Sequence, residues 1–352
     1  MHKTILITGG LGYLGGRIAQ SLLTTSKYKV IIGTKNNQVG LPKQLVGCDV
    51  ALIDLLEKNS IQKSLKGVDI IIHVAGMNAN ECAKNPSNAL LVNGLGTLNL
   101  VQSAKDSDVK KIIYFSTAHI YGSPLLGNIS EDTLATPSNH YAITHRIAED
   151  YIIKVGREGK ISTTILRTSN AIGPPINKHA NCWMLVANDI AKQIVEKNKI
   201  CINSSGKQLR DFIPISNITS AVMFLLESHH SYGETFNLGS GVSLSIFDLA
   251  KLLSARAKAI LDIDVSITTG IDERGPDDYF SYKIDKIISL GYSPTHSLED
   301  EIDNLLIYVN KEFRVKRIKT IRKNKNVRYS ICCGHKRVGI SMKEKLPIIY
   351  LT

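Results

Sequence analysis

The sequence predicts an α/β protein: a doubly wound parallel sheet followed by a smaller C-terminal α/β region. Three observations predict it. Short apolar runs alternate with longer amphipathic segments over residues 1–175, a glycine-rich stretch lies between the first run and the first amphipathic segment, and the rhythm changes after Pro174-Pro175. The runs at 4–8, 30–33, 49–53, 70–74, 112–115 and 163–167 are mostly apolar on both faces, as strands covered by helices on each side must be. Helices are expected between them at 14–24, 57–65, 89–107 and 141–157. Right-handed crossovers then bring the C-terminal ends of the strands to one edge of the sheet, where ligands bind.

The second half predicts a helix at 180–197, a strand at 199–202, and a helix at 218–228 with Asn217 as its N-cap. A strand at 235–238, a helix at 246–257 and a strand at 264–268 follow, and Ser-Leu-Glu-Asp at 297–300 resembles a capping box opening a last helix to about 310. The expected organisation is therefore 1–175, with some later segments returning to it, then 176–310 and a basic tail, 311–352. The tail accounts for most of the net charge of +12: it holds 13 Lys+Arg against 2 Asp+Glu, leaving 30 against 29 in residues 1–310. The body thus gives no electrostatic case for a nucleic-acid partner, and the tail, lacking a clear period, is expected to be a flexible extension. No run of 18 apolar residues suggests a membrane span. The first residues lead directly into a strand with no charged leader, which makes a cytoplasmic location the expectation. Cys48, Cys82, Cys182 and Cys201 are scattered singly, which is no disulfide framework. The Cys-Cys-Gly-His cluster at 332–335 is too small to argue for a metal, and none is expected.

Residues 8–15 read Thr-Gly-Gly-Leu-Gly-Tyr-Leu-Gly, between the first strand and the first helix. Gly9, Gly12 and Gly15 allow a tight turn and a close approach of backbone to a pyrophosphate, and the amides around Tyr13 and Leu14 open a helix N-terminus that favours an anion. In that setting the triplet reads as a Rossmann dinucleotide site. The end of the second strand, where an acid commonly bonds the ribose, holds Lys35 followed by Asn36. A cation there suits a 2′-phosphate, while Asn36 suits ribose hydroxyls, so both NAD and NADP stay open, with Lys35 leaning to NADP.

From this loop to about residue 308 the sequence resembles the extended short-chain dehydrogenase/reductases, NAD-dependent epimerase/dehydratase type, and in particular the nucleotide-sugar 4-epimerases. The motifs occur in order: Asp54-Leu55 after the third strand, Val74-Ala75-Gly76 at a strand end, Asn93-Gly-Leu-Gly-Thr97, Phe115-Ser-Thr117 with Tyr121-Gly122, Arg167 to Pro174, Arg210-Asp-Phe212, and Asn237-Leu-Gly-Ser-Gly241. The resemblance implies that Asp54, Leu55, Val74, Ala75, Gly76 and Asn93 contact the cofactor. It implies that Thr117 and Tyr141 work together on a sugar hydroxyl, and that Asn170, Arg210 and Arg274 meet the substrate's diphosphate. It also implies a homodimer through the helices at 89–107 and 141–157.

The family motif Tyr-x-x-x-Lys reads here Tyr141-Ala-Ile-Thr-His145. Spacing of four puts both side chains on one helix face. The family Lys bonds the nicotinamide ribose and lowers the Tyr pKa by its charge; a mostly neutral His can bond a hydroxyl but pushes less. His145 is expected to stand in for that Lys. Thr117 is followed by Ala118-His119, not by the acid pair of the family's 4,6-dehydratases, which argues against that reaction. A nucleotide-sugar 4-epimerase is the first expectation, an NADPH-dependent 4-ketosugar reductase the second, and a cofactor-binding sensor or scaffold without turnover the third.

Overall fold

The computed structural model describes residues 2–35, 40–228, 233–271 and 279–314, and the backbone of 320–323, 326–333 and 336–340. In chain order the elements are β1 (Lys3–Thr8), α1 (Tyr13–Thr25), β2 (Tyr28–Thr34), β3 (Asp49–Leu52), α2 (Lys58–Ser64), β4 (Ile70–His73), α3 (Ala79–Lys84), α4 (Pro86–Ala89), α5 (Gly96–Lys105), β5 (Lys111–Thr117), β6 (Gly127–Ile129), α6 (His140–Arg157), β7 (Ser162–Thr168) and β8 (Asn170–Ile172). There follow α7 (Val186–Lys197), β9 (Lys199–Ile202), β10 (Leu209–Pro214), α8 (Ile215–Glu227), β11 (Glu234–Leu238), β12 (Ser243–Ser245), α9 (Ile246–Leu261), β13 (Ser266–Thr269), β14 (Phe280–Tyr282), α10 (Asp285–Ser289) and α11 (Leu298–Phe313).

Seven strands form the main sheet in the order β3-β2-β1-β4-β5-β7-β11, and every pairing in it is parallel. The order runs outward in both directions from β1 and β4, so the crevice at the strand ends opens between those two. Ile5, Ile7, Ile32, Ile72 and Ile113 build one core layer with α1 and α8, and Leu6, Ile71, Ile112 and Ile165 the other with α2, α5 and α6. Alternate residues of one strand thus feed opposite faces, which is why the runs were apolar throughout.

The second half returns to this sheet, since β11 pairs with β7 at its edge. Smaller sheets carry the rest: β12-β10-β8, β13-β9 and β14-β6. The expected helix at 89–107 is real but interrupted: α4 runs into a π-helical turn, Leu90–Leu95, and then into α5. The expected helix at 180–197 begins only at Val186, because residues 180–185 form turns. Asn217 does not cap α8, which begins at Ile215 behind Pro214. Its buried amide instead brackets the backbone of His296, donating to the carbonyl at 2.9 Å and accepting from the amide at 3.0 Å. Ser297 does cap the last helix, its hydroxyl accepting from the Asp300 amide at 3.0 Å. Cys48, Cys82, Cys182 and Cys201 are free thiols, the first three buried.

Met1–Glu312 form one compact unit and Phe313–Thr352 a second. The second contains three antiparallel strands, Thr320–Lys323, Asn326–Cys333 and Lys336–Ile340, where the sequence showed no period. The cluster at 332–335 lies outside the residues whose side chains are described. Among the described residues no group of side chains is arranged to hold a metal and no helix is long and apolar enough to cross a membrane.

Candidate active site

A cavity of about 520 Å³ lies along the C-terminal edge of the sheet. Its floor is the glycine turn. Gly9 sits at φ +68°, in the left-handed region, and a Cβ at Gly15 would come within 2.3 Å of the Gly9 carbonyl oxygen. The turn therefore admits no side chain at these points. Helix α1 begins behind Gly12 with no side-chain cap and no acid in its first turn. Its first turn lines the cavity, and among the described residues no side chain caps it, which suits a pyrophosphate. Gly15→Ala is expected to weaken NAD association by about tenfold or more, as titration calorimetry would show, because the added methyl displaces the loop that forms the cradle.

Gly9, Gly12, Tyr13, Leu14, Gly15, Lys35, Asp54, Leu55, Val74, Ala75, Gly76, Tyr141 and His145 all line this one cavity. Several do so with their backbone or stem while the polar end is engaged elsewhere. The Tyr13 hydroxyl donates to the Gly173 carbonyl at 3.0 Å. Lys35, expected to face a 2′-phosphate, pairs with Asp54 at 3.2 Å, and the same Asp54 oxygen accepts from the Leu56 amide at 2.9 Å. Asn36 lies outside the described residues, as does Arg274. Asn93 does not line the cavity; it sits buried in the π-helical turn. Its carbonyl accepts from the Met77 amide at 2.8 Å and its amide donates to Thr144 at 3.0 Å, so it ties the β4–α3 loop to α6. Asn170 donates to the Asp211 carbonyl at 2.9 Å and joins β8 to β10. Arg210 lies on β10, with its positive charge felt by His119.

Sequence reasoning missed the group that holds the crevice open. Thr8 accepts from the amides of Val74 and Ala75, each at 3.2 Å, and bonds His73 at 2.7 Å. The other ring nitrogen of His73 meets Thr97 at 3.0 Å. Burial lowers the His73 pKa to about 3, so it stays neutral between two hydroxyls. Glu81 and Asn181 also line the cavity and bond one another at 3.1 Å, bridging α3 and the turns before α7. The Asn78–Glu81 capping box was legible, though it signalled only a helix start.

At the reactive end, α6 starts at Asn139, whose side chain accepts from the Ala142 amide, and this cap aims Tyr141 and His145 at the strand ends. Their rings meet edge to face with centroids 4.4 Å apart. Burial pushes the Tyr141 phenol up to about 12, and a hydrogen bond from Thr117 pulls the other way. Burial, and then the neighbouring His119, hold His145 down to about 4. The residue in the lysine position is therefore uncharged at neutral pH. Thr117 is buried, and besides serving Tyr141 it accepts from the His119 amide at 3.2 Å. His119 lies beside Tyr141, with ring centroids 6.5 Å apart. Burial and Arg210 hold it down to about 4, and its Nδ1 has no partner among the described residues.

The model of the NAD dependent epimerase/dehydratase family matches residues 5–239. The chain belongs to this family. It is an NAD-dependent enzyme, and the cradle at Gly9–Gly15 fits the dinucleotide that such enzymes use. Among curated proteins it is 28% identical over 323 residues to a putative UDP-glucose 4-epimerase of Methanocaldococcus jannaschii, covering 88% of this chain and 99% of that one. It is 26% identical over 330 residues to the dTDP-D-glucose 4,6-dehydratase of Mus musculus, covering 88% and 90%. Among solved structures, the UDP-glucose 4-epimerase of Thermotoga maritima with UDP-glucose superposes with a TM-score of 0.76 at 23% identity, covering 88% and 99%. The UDP-glucuronic acid 4-epimerase of Bacillus cereus, in complex with UDP-glucuronic acid and NAD, gives 0.74 at 24%, covering 88% and 100%. These two likenesses concern the fold of the family member described here.

Proposed function

We propose that the protein is a nucleotide-sugar 4-epimerase that retains NAD through its turnover. The observation that carries this reading is that Tyr141 and His145 line the dinucleotide cavity, with the buried Thr117 bonded to Tyr141 behind them, without the acid and base that dehydration needs. A dinucleotide held by the Gly9–Gly15 turn would supply the hydride acceptor and donor that inversion of a sugar carbinol needs. As the phenolate, Tyr141 accepts the sugar hydroxyl's proton and later returns it, and Thr117 bonds the same sugar oxygen. His145 offers a ring nitrogen to the nicotinamide ribose. Arg210 and Asn170 are assigned to the sugar's diphosphate, as guanidinium and amide groups suit paired oxygens. Ala118 and His119 stand where the resemblance implies the acid pair of the 4,6-dehydratases, which supports an epimerase over a dehydratase.

The pairing of Lys35 with Asp54 supports NAD as the form used, since the ammonium already faces a carboxylate. A homodimer through α5 and α6 is part of the proposal. Leu90, Leu91 and Leu95, in the π-helical turn that leads into α5, and Ile143 on α6 support it, each at least 40% exposed.

Purified protein incubated with UDP-hexoses without added cofactor is expected to interconvert the C4 epimers. Stoichiometric consumption of NADPH would mean a ketosugar reductase instead. Cofactor binding without product over a panel of UDP, GDP, dTDP and CDP sugars would make it a sensor.

A further inference from the structure

His145 has a second side. Away from the cavity its Nδ1 lies 2.6 Å from the hydroxyl of Tyr114 on β5. Tyr114 is only 2% exposed and sits between two imidazoles, its ring centroid 5.3 Å from that of His73 and 5.9 Å from that of His145. Burial, with Glu149 and Tyr141 nearby, raises the Tyr114 phenol well above its ordinary range, so it keeps its proton.

The other polar groups around Tyr114 are engaged. Both nitrogens of His73 are bonded to Thr8 and Thr97. Glu149 is bonded through both oxygens to Arg167. Among the described residues, Nδ1 of His145 is the acceptor within reach. A buried phenol O–H left with no acceptor forfeits its hydrogen bond to water, so Tyr114 donates and Nδ1 accepts. The imidazole proton must then sit on Nε2, the nitrogen left for the cavity that His145 lines.

We infer that Tyr114 is a positioning residue: its donated hydrogen bond holds His145 in the Nε2–H tautomer and so keeps a hydrogen-bond donor turned toward the cofactor cavity. The inference rests on the reading that His145 serves the bound dinucleotide. It explains how an uncharged ring can occupy a lysine position: the donor is retained and the charge is not. Without Tyr114 the two tautomers would lie closer in energy, and one of them presents a bare lone pair to a ribose hydroxyl or to the Tyr141 phenol.

The test uses the full chain labelled with ¹⁵N in its histidine rings, with the His145 signals assigned by their loss in His145→Ala. In the wild type, Nδ1 is expected at the shift of an unprotonated nitrogen and Nε2 at that of a protonated one. Tyr114→Phe is expected to turn this into a tautomer mixture and to lower kcat by about tenfold. The same change made in His145→Ala is expected to add nothing, since the coupling runs through the ring. A wild-type ring protonated on Nδ1 overturns the inference whether or not any variant folds, as does an unchanged tautomer in Tyr114→Phe. If His145→Ala matches the wild type in turnover and NAD affinity, the reading beneath fails and takes the inference with it. If His145→Ala is impaired while Tyr114→Phe stays within about twofold of wild type, the reading of His145 stands and the part given to Tyr114 falls.

Discussion

Tyr141→Phe is expected to lower kcat by about 10²- to 10⁴-fold while leaving NAD affinity nearly unchanged, because it removes the proton acceptor and little of the cavity wall. The phenol's environment also sets a pH dependence. Burial pushes Tyr141 up to about 12, so near neutrality only a small fraction is ionised in the free enzyme. A rate that needs the phenolate must therefore climb with pH through the neutral and alkaline range. A cation at position 145 stabilises the phenolate and lowers that pKa, so His145→Lys is expected to keep or raise turnover. It should also move the rising limb to lower pH by about one to three units. Steady-state kcat/KM profiles of wild type, His145→Lys and Tyr141→Phe would check this. A wild-type profile flat from neutral to alkaline pH, or a Tyr141→Phe enzyme as active as its parent, would remove Tyr141 from the role of base.

The second large effect is on stability. Arg167, 5% exposed, meets Glu149, fully buried, in a two-point ion pair at 2.9 and 2.8 Å. Its remaining nitrogen donates to Tyr121 at 2.8 Å, and Tyr121 donates in turn to Asn237 at 2.7 Å. The network joins α6, which carries Tyr141 and His145, to β7, to the turn after β5 and to β11. Arg167→Met is expected to cost about 3–5 kcal/mol, since it strands a buried carboxylate. Replacing both partners, as in Arg167→Met with Glu149→Leu, is expected to cost less than Arg167→Met alone, because no unpaired charge is left inside. Urea unfolding midpoints with NAD absent would measure both. A double-variant loss equal to or larger than that of Arg167→Met alone would mean that the stranded carboxylate is not what destabilises the single variant.

The same network shows how motif residues divide between chemistry and architecture. Arg167 and Asn237 belong to motifs that carry the resemblance, and both are buried in the scaffold. Asp211, between Arg210 and Phe212, accepts from the amides of Ser240 and Gly241 and from the hydroxyls of Ser169 and Ser240. A Cβ at Gly239 would come within 2.8 Å of its carboxylate. The Arg-Asp-Phe and Asn-x-Gly-x-Gly segments are thus two halves of one internal clasp.

The amino-acid order by itself determined the alternation of strands and helices, the glycine cradle, and the face shared by Tyr141 and His145. These are local properties: apolar period, permitted φ, and the four-residue turn of a helix are written in neighbouring residues. Only the tertiary structure decided that β11 is the segment that returns to the main sheet, that Lys35 faces Asp54, that Asn93 braces a loop, and that Tyr114 reaches the ring of His145. Each of those depends on which side chains meet across the fold, between residues from 16 to about 70 positions apart in the chain, and no window of sequence contains that information.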